Sequence, residues 1–184
     1  MKKEVKGHLL FAPLPVLMIG TYDENGVPNL MNAAWGGQCD YDQIFISLSE
    51  HKTTDNIRLK KEFTVAFATK DTLVASDYFG IESGKKVNKI EKAGFHHVKS
   101  EKIDAPVFEE YPITLECRLV AENDLGVVAD VVGMVADESV IDEKGKLDLG
   151  KAELISFDPN NNTYRLLGES VGFAFKDGLK IRNS

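Results

Sequence analysis

The sequence predicts a mainly β protein of the α+β kind, in which an antiparallel sheet forms a closed or nearly closed β-barrel with a few short helices. Short runs rich in β-branched and aromatic residues recur along the chain, and turn residues separate them. Helical patterning is confined to a few short segments in the first half of the sequence. At 184 residues the chain has the length of one domain, so we expect residues 1–184 to share a single core.

The first elements are predicted to be a hairpin, two further strands and a helix between them. Residues 16–21 and 27–34 are apolar runs on either side of Asn25-Gly26, a pair that favours a tight hairpin turn. Residues 43–48 and 63–68 have the composition of short strands. The polar segment 53–62 between them predicts a helix that Thr53 or Thr54 caps.

The rest of the chain is predicted to pass through short helices and then return to strands. Segment 71–94 reads as helical pieces broken at Gly80 and Gly84, the last of them at 86–93 and ended by Gly94. Strand patterning then returns at residues 113–120, 127–135, 152–157 and 164–167. Residues 168–172 read as a turn into a final strand at 173–175.

Charge and composition exclude several classes of protein. With 22 basic and 29 acidic residues the net charge is −7, which argues against a general nucleic-acid or anionic-membrane surface. The apolar run 9–19 contains Pro13 and Pro15 and is too short for a membrane-spanning helix. The two cysteines fit no disulfide framework. We therefore expect a soluble, cytoplasmic protein.

Two apparent motifs fail on their context, and two further patterns are absent from the sequence. Residues 168–172 match G-x-S-x-G, but no histidine follows to complete a hydrolase triad. Residues 80–86 resemble a P-loop with the wrong spacing, and the chain has no G-x-G for a dinucleotide-binding turn. No two of the four histidines are spaced i, i+4, so we expect no metal site.

Two segments are candidates for ligand binding. In the first, Trp35 follows Asn32, Ala33 and Ala34, whose small side chains would let a flat ring approach the backbone. Composition alone favours equally a tryptophan that plugs the end of the barrel. The second runs from His51 to Asn56, where a helix start, two hydroxyls and a lysine converge as they do in phosphate sites. An ordinary helix cap with a solvated lysine is the simpler interpretation of it.

Taken together, these segments resemble the flavin reductase-like, flavoredoxin-type proteins of the FMN-binding split-barrel fold. The resemblance covers most of the chain and depends on the order and spacing of its pieces. These pieces are residues 13–19, 32–35, 46–48, 52–57, 83–89, 105–106, 115–117, 132–135 and 164–172. Asn88 stands where relatives often have aspartate, and residues 126–130 lack a histidine that relatives often carry.

The resemblance implies a Greek-key antiparallel split barrel that binds FMN as a homodimer, with the cofactor near the interface. It places the isoalloxazine ring near Asn32 to Trp35 and needs no catalytic side chain. It places the phosphate at Lys52, Thr53, Thr54 and Asn56, with help from Lys89. The cofactor-binding residues it implies are Asn32, Ala33, Ala34, Trp35, Ser47, Leu48, His51, Lys52, Thr53, Thr54, Asn56 and Lys89.

The implied function is an oxidoreductase in which NADH or NADPH reduces the bound FMN, and a flavin, a metal ion or a redox protein accepts the electrons. The alternative is a flavoredoxin-like electron carrier that does not react with pyridine nucleotides. A third interpretation is a non-catalytic member of the barrel family that holds haem or no cofactor, with His51 and Cys39 as the only nearby haem ligands to consider.

Overall fold

The computed structural model of the protein describes residues 1–4 and 11–182. Its strands and helices alternate irregularly, with the longest strands in the second half of the chain. In chain order they are β1 Leu14–Pro15, β2 Leu17–Tyr22, β3 Pro28–Ala33, β4 Gly36–Gln38, β5 Gln43–Ile46, α1 Lys52–Lys60, β6 Glu62–Phe67, α2 Leu73–Ile81, α3 Lys89–Ala93, β7 His97–Lys99, β8 Pro106–Phe108, β9 Ile113–Asn123, β10 Gly126–Ala136, a 3₁₀ turn Glu138–Val140, β11 Ile155–Asp158, β12 Thr163–Leu166 and α4 Leu179–Arg182.

The main sheet has seven antiparallel strands in the order β3-β2-β6-β9-β10-β5-β4. Its two edge strands, β3 and β4, are consecutive in the chain and are separated only by Ala34 and Trp35. A linker this short spans at most about 11 Å, so the two edges must lie near each other and the sheet must curl. The predicted barrel is thus confirmed, and its open seam lies where residues 32–35 leave β3.

Two hydrophobic layers pack on the two faces of this curled sheet. Inside the curl, Leu17, Ile46 and Phe63 are buried, and Ile57 of α1 packs against them. On the outer face, Phe79 of α2 packs in a second cluster with buried residues of the sheet and of β8. Helices α1 and α2 both contact β3.

The first helix departs from its sequence prediction at both ends. It begins at Lys52, with His51 as its N-cap residue, so the prediction that Thr53 or Thr54 would cap it is wrong. It ends where Lys61 adopts the left-handed conformation at φ 60°, and Glu62 already belongs to β6. Glu62 pairs with Arg118 of β9, and this strand pairing overrides the helical propensity of the glutamate.

Later elements were predicted with mixed success. The hairpin of β2 and β3 and the long pair of β9 and β10 are confirmed. Gly80 does not break α2, which continues to Ile81, and Gly94 ends α3 in the left-handed conformation as predicted. The final strand predicted at residues 173–175 is wrong, because this exposed segment leads through a turn into α4 and pairs with no described strand.

No helix among the described residues is long and apolar enough to span a membrane. Residues 9 and 10 of the apolar run 9–19 lie outside the described part of the chain. Cys39 is exposed and Cys117 is buried in the barrel, and neither forms a disulfide.

Candidate functional site

The start of α1 brings backbone amides to the edge of a cavity. The helix begins at Lys52, and His51 precedes it in extended conformation with φ −136°. The side chain of His51 does not cap the helix, since its Nε2 lies 2.9 Å from the hydroxyl of Ser49 instead. The first turn therefore presents amides without a side-chain cap, and such a helix start favours anions through its partial positive charge.

Thr53 adds a buried hydroxyl to this cavity. Its exposed fraction is 1%, and its Oγ1 accepts a 2.8 Å hydrogen bond from Nδ2 of Asn29 on β3. A hydroxyl also donates one proton, so Thr53 can donate to a ligand while Asn29 holds it in place. Gly84 packs directly on Asn29, and a Cβ at Gly84 would collide with the amide oxygen of that side chain.

Lys89 adds a buried positive charge. The residue is 5% exposed, and its Nζ donates a 2.8 Å hydrogen bond to the carbonyl oxygen of Phe79. Burial lowers the pKa of Lys89 to about 8, although the nearby Glu82 carboxylate acts in the opposite direction. An ammonium has three protons to donate, so this buried cation has capacity left for an anion.

These groups line one cavity of about 260 Å³, which we call the basic cavity. It is defined by Asn29, Asn32, Lys52, Thr53, Lys85 and Lys89. Lys52 and Lys85 each have an aspartate within 3.2 Å, and Glu50 and Glu82 also line the cavity. Lys89, in contrast, forms no ion pair with any described residue, and with the helix start and the Thr53 hydroxyl it gives a donor set that fits a phosphate group.

A second cavity of about 340 Å³ adjoins the basic cavity, and we call it the ring cavity. It is defined by Asn32, Ala33, Ala34, Asp77, Ile81 and Tyr164. Asn32, Gly80 and Ile81 line both cavities. A ligand with a phosphate at one end and a flat ring at the other could therefore extend from one cavity to the other past Asn32.

The fold brings most of the sequence-predicted cofactor residues to these two cavities. Asn32, His51, Lys52, Thr53 and Lys89 line the basic cavity. Ala33 and Ala34, with Asn32 again, line the ring cavity. The roles of these residues in cofactor binding stay predictions. Their placement around two adjoining cavities agrees with those predicted roles.

Thr54 and Asn56 line neither cavity and have other partners. Thr54 Oγ1 donates a 2.6 Å hydrogen bond to the carbonyl oxygen of Ser49, and Nδ2 of Asn56 donates a 3.0 Å bond to Thr21 Oγ1 on β2. Both side chains are buried beneath α1. In the structure they attach the helix to the preceding loop and to the sheet.

Trp35 lies at the open seam of the sheet. Its exposed fraction is 65%, so the interpretation that it plugs the end of the barrel is wrong. Its carbonyl oxygen accepts a 2.7 Å hydrogen bond from the amide of Ser47, and Leu48 packs half-buried against the barrel core. The backbone of Trp35 is thus held at the seam while its indole ring remains exposed, where a ligand or a partner chain could cover it.

The two residues considered as haem ligands are not brought together in either cavity. His51 lines the basic cavity, whereas Cys39 lies exposed on the turn between β4 and β5 and lines neither. The described residues contain no group of three or more histidine, cysteine or acidic residues suited to a metal ion.

Sequence reasoning missed four residues of this region. Asn29 carried a signal, because asparagine is disfavoured inside a strand and therefore often has a specific task there. Gly84 was identified as a helix breaker and as part of the resemblance, but not as a residue that packs on Asn29. The pairing of Asp77 with Tyr164 carried no signal, because 87 positions separate them and only the packing of β12 against α2 joins them.

Comparison with known proteins places this geometry in a recognised group. The family model described as a flavin reductase like domain matches residues 10–151. The flavoredoxin of Desulfovibrio vulgaris (Miyazaki F) superimposes with a TM-score of 0.93 at 31% identity, covering 97% of this chain and 100% of that one. Flavoredoxin from Methanosarcina acetivorans gives a TM-score of 0.86 at 26% identity, covering 98% and 99%.

A more distant structure shares the fold. Nitrilotriacetate monooxygenase component B from Bacillus cereus superimposes with a TM-score of 0.76 at 21% identity, covering 88% of each chain. The split-barrel architecture that the sequence predicted is confirmed by these neighbours.

Proposed function

The chain belongs to the flavin reductase-like domain family, and from that premise we propose that it is an FMN-binding oxidoreductase that passes electrons from NADH or NADPH through FMN to an acceptor. The acceptor is a flavin, a metal ion or a redox protein. FMN supplies the electron-transfer chemistry when it is bound, and the chain supplies binding and orientation. Electron transfer through FMN needs no side chain as a general acid or base.

The observation that carries this proposal is the buried ammonium of Lys89, which lines the basic cavity together with Thr53. A buried cation with one protein acceptor is costly unless an anion joins it. The uncapped start of α1 and the side chain of Lys52 face the same space. These groups would hold the phosphate of FMN, and this explains how a chain of net charge −7 binds an anion.

The isoalloxazine ring would then lie along residues 32–35 toward the ring cavity. Ala33 and Ala34 leave room for a flat ring against the backbone, and Asn32 offers polar groups at its edge. Ser47 and Leu48, on the opposite side of the seam, would border the same ring. The exposed Trp35 would cover part of it and exclude water.

An electron carrier is the second candidate. It is favoured by the 31% identity to a flavoredoxin over 97% of the chain. In that case FMN would stay bound and exchange electrons with protein partners, without a direct reaction with NADH or NADPH.

We also propose that the protein is a cytoplasmic homodimer with FMN near the interface. From residue 132 onward β10 has a described strand partner on one side only, and Met134 and Val135 on this stretch are exposed. Phe173 and Phe175 near the carboxyl end are exposed as well. Apolar edges of this kind are commonly covered by a partner, and a second copy of the chain is the partner we propose.

Anaerobic spectra of the FMN-loaded protein separate the two candidate functions. Addition of NADH or, separately, NADPH should bleach the flavin bands within seconds if the protein is a reductase. Bands that persist with both nucleotides, yet disappear with dithionite, would contradict the reductase and support the carrier. Free FMN at the same concentration serves as the control for direct chemical reduction.

A further inference from the structure

A phenol and a carboxylate meet at the wall of the ring cavity. The hydroxyl of Tyr164 on β12 donates a 2.7 Å hydrogen bond to Oδ1 of Asp77 on α2. Tyr164 lies beyond residues 10–151, which are the part of the chain that the family model matches. Tyr164 is therefore contributed by a part of the fold outside the matched segment, whereas Asp77 lies within it.

Asn32 joins this pair to the basic cavity. Its Nδ2 donates a 2.9 Å hydrogen bond to the carbonyl oxygen of Ser76, one residue before Asp77 in α2. Gly80 of the same helix packs close to it, and a Cβ at Gly80 would lie 3.3 Å from the Cβ of Asn32. Asn32, the residue common to both cavities, is thus held against the helix that carries Asp77.

The pair brings a carboxylate to the wall of the ring cavity. Burial and the Asp77 carboxylate raise the pKa of Tyr164 to about 12, while a hydrogen bond from Asn32 acts in the opposite direction. The phenol therefore keeps its proton and directs it at Asp77. No lysine or arginine lines the ring cavity, so nothing among its lining residues neutralises the carboxylate.

We propose that Asp77, with Tyr164 as its hydrogen-bond donor, is a positioning residue that lowers the reduction potential of FMN bound beside Asn32. This inference rests on the proposed function, because it needs FMN in the adjoining site. Reduction of FMN takes up two electrons with one or two protons, and it adds negative charge to the ring when only one proton is taken up. A fixed carboxylate in a partly buried site opposes that added charge.

The test is the midpoint potential of bound FMN in the wild-type protein and in Asp77→Asn, measured by dye-coupled anaerobic reduction. The amide keeps the shape and an acceptor oxygen for Tyr164, and it removes the charge. We expect the relative affinity for reduced FMN to rise about tenfold, which corresponds to a potential about 30 mV higher for a two-electron couple. The affinity for oxidised FMN should change much less.

Two variants keep the test specific. Asp71→Asn removes the same charge from an exposed residue just before α2, outside both cavities, and should leave the potential unchanged. Tyr164→Phe keeps the carboxylate and should shift the potential by less than half as much as Asp77→Asn. A shift of equal size and direction in all three variants would overturn the inference.

The outcomes for the proposed function and for this inference are distinct. If the wild-type protein does not bind FMN, both are overturned. If FMN binds but Asp77→Asn leaves its potential at the wild-type value, this inference is overturned and the proposed function stands.

Discussion

Nζ of Lys89 lies 2.8 Å from the carbonyl oxygen of Phe79 and 5.9 Å from the centre of its ring, so a buried ammonium is held by one residue of the helix that lines both cavities. The carbonyl uses one of the three ammonium protons. Burial without an opposite charge in direct contact explains why the pKa of Lys89 falls to about 8.

This lowered pKa predicts a pH dependence of stability in the FMN-free protein. Between pH 8 and 10.5 the unfolded chain keeps the Lys89 proton and the folded chain releases it. The free energy of unfolding should therefore gain a contribution that rises with pH across this window and is constant below it. Urea denaturation at several pH values measures this contribution.

Lys89→Met should lack the rise, whereas Lys86→Met, at an exposed position in the same segment, should keep it. Identical pH profiles for Lys89→Met and the wild-type protein would show that the folded state does not perturb this lysine.

Thr53 and Thr54 are adjacent in the sequence but should respond differently to loss of the hydroxyl. Thr53→Val should weaken FMN binding about tenfold, the usual size of one hydrogen bond to a charged group. Thr54→Val leaves the Ser49 carbonyl without its donor, so it should mainly lower the free energy of unfolding, by about 1 kcal/mol. Calorimetric titration with FMN and urea denaturation measure the two effects.

Thr114→Val is the matched control, because Thr114 is buried on β9 and its hydroxyl has no hydrogen-bond partner among the described residues. This variant should change neither quantity appreciably. Equal losses of FMN affinity in Thr53→Val and Thr54→Val would contradict the prediction that Thr53 binds the ligand and Thr54 only stabilises the helix.

Gly84→Ala should weaken FMN binding while leaving the barrel folded. The added methyl would collide with the amide oxygen of Asn29, which orients Thr53. Either Asn29 moves or the loop at residues 82–88 withdraws, and both changes disturb the basic cavity. Gly37→Ala is the control, since a methyl there meets no atom within 4 Å. If Gly84→Ala bound FMN as tightly as Gly37→Ala, the close packing of this loop would not matter for the site.

The sequence predicted the barrel and most of its strands because their signals are local. Two apolar runs and the Asn25-Gly26 turn between them specify the hairpin of β2 and β3 without reference to the rest of the chain. The start of α1 was found within one residue. The roles of Thr54 and Asn56 were not predictable in the same way, because the direction of each side chain depends on Ser49 and on β2.

Contacts between distant segments were beyond the sequence pattern. Asp77 and Tyr164 meet only because β11 and β12 fold back over α2, and the pattern of neither segment specifies that packing. The exposure of Trp35 likewise depends on how the edges of the sheet approach each other.

The central claim is that the basic cavity holds the phosphate of FMN, and the comparison of FMN with riboflavin tests it most directly. The two ligands share the ring and differ in the phosphate, so the ratio of their dissociation constants isolates the contribution of the phosphate site. The wild-type protein should bind FMN at least about 100-fold more tightly than riboflavin, which is about 2.7 kcal/mol. Lys89→Met should reduce that ratio about tenfold or more, and Lys86→Met should leave it near the wild-type value. Equal affinity of the wild-type protein for the two ligands, or an unchanged ratio in Lys89→Met, would contradict the claim.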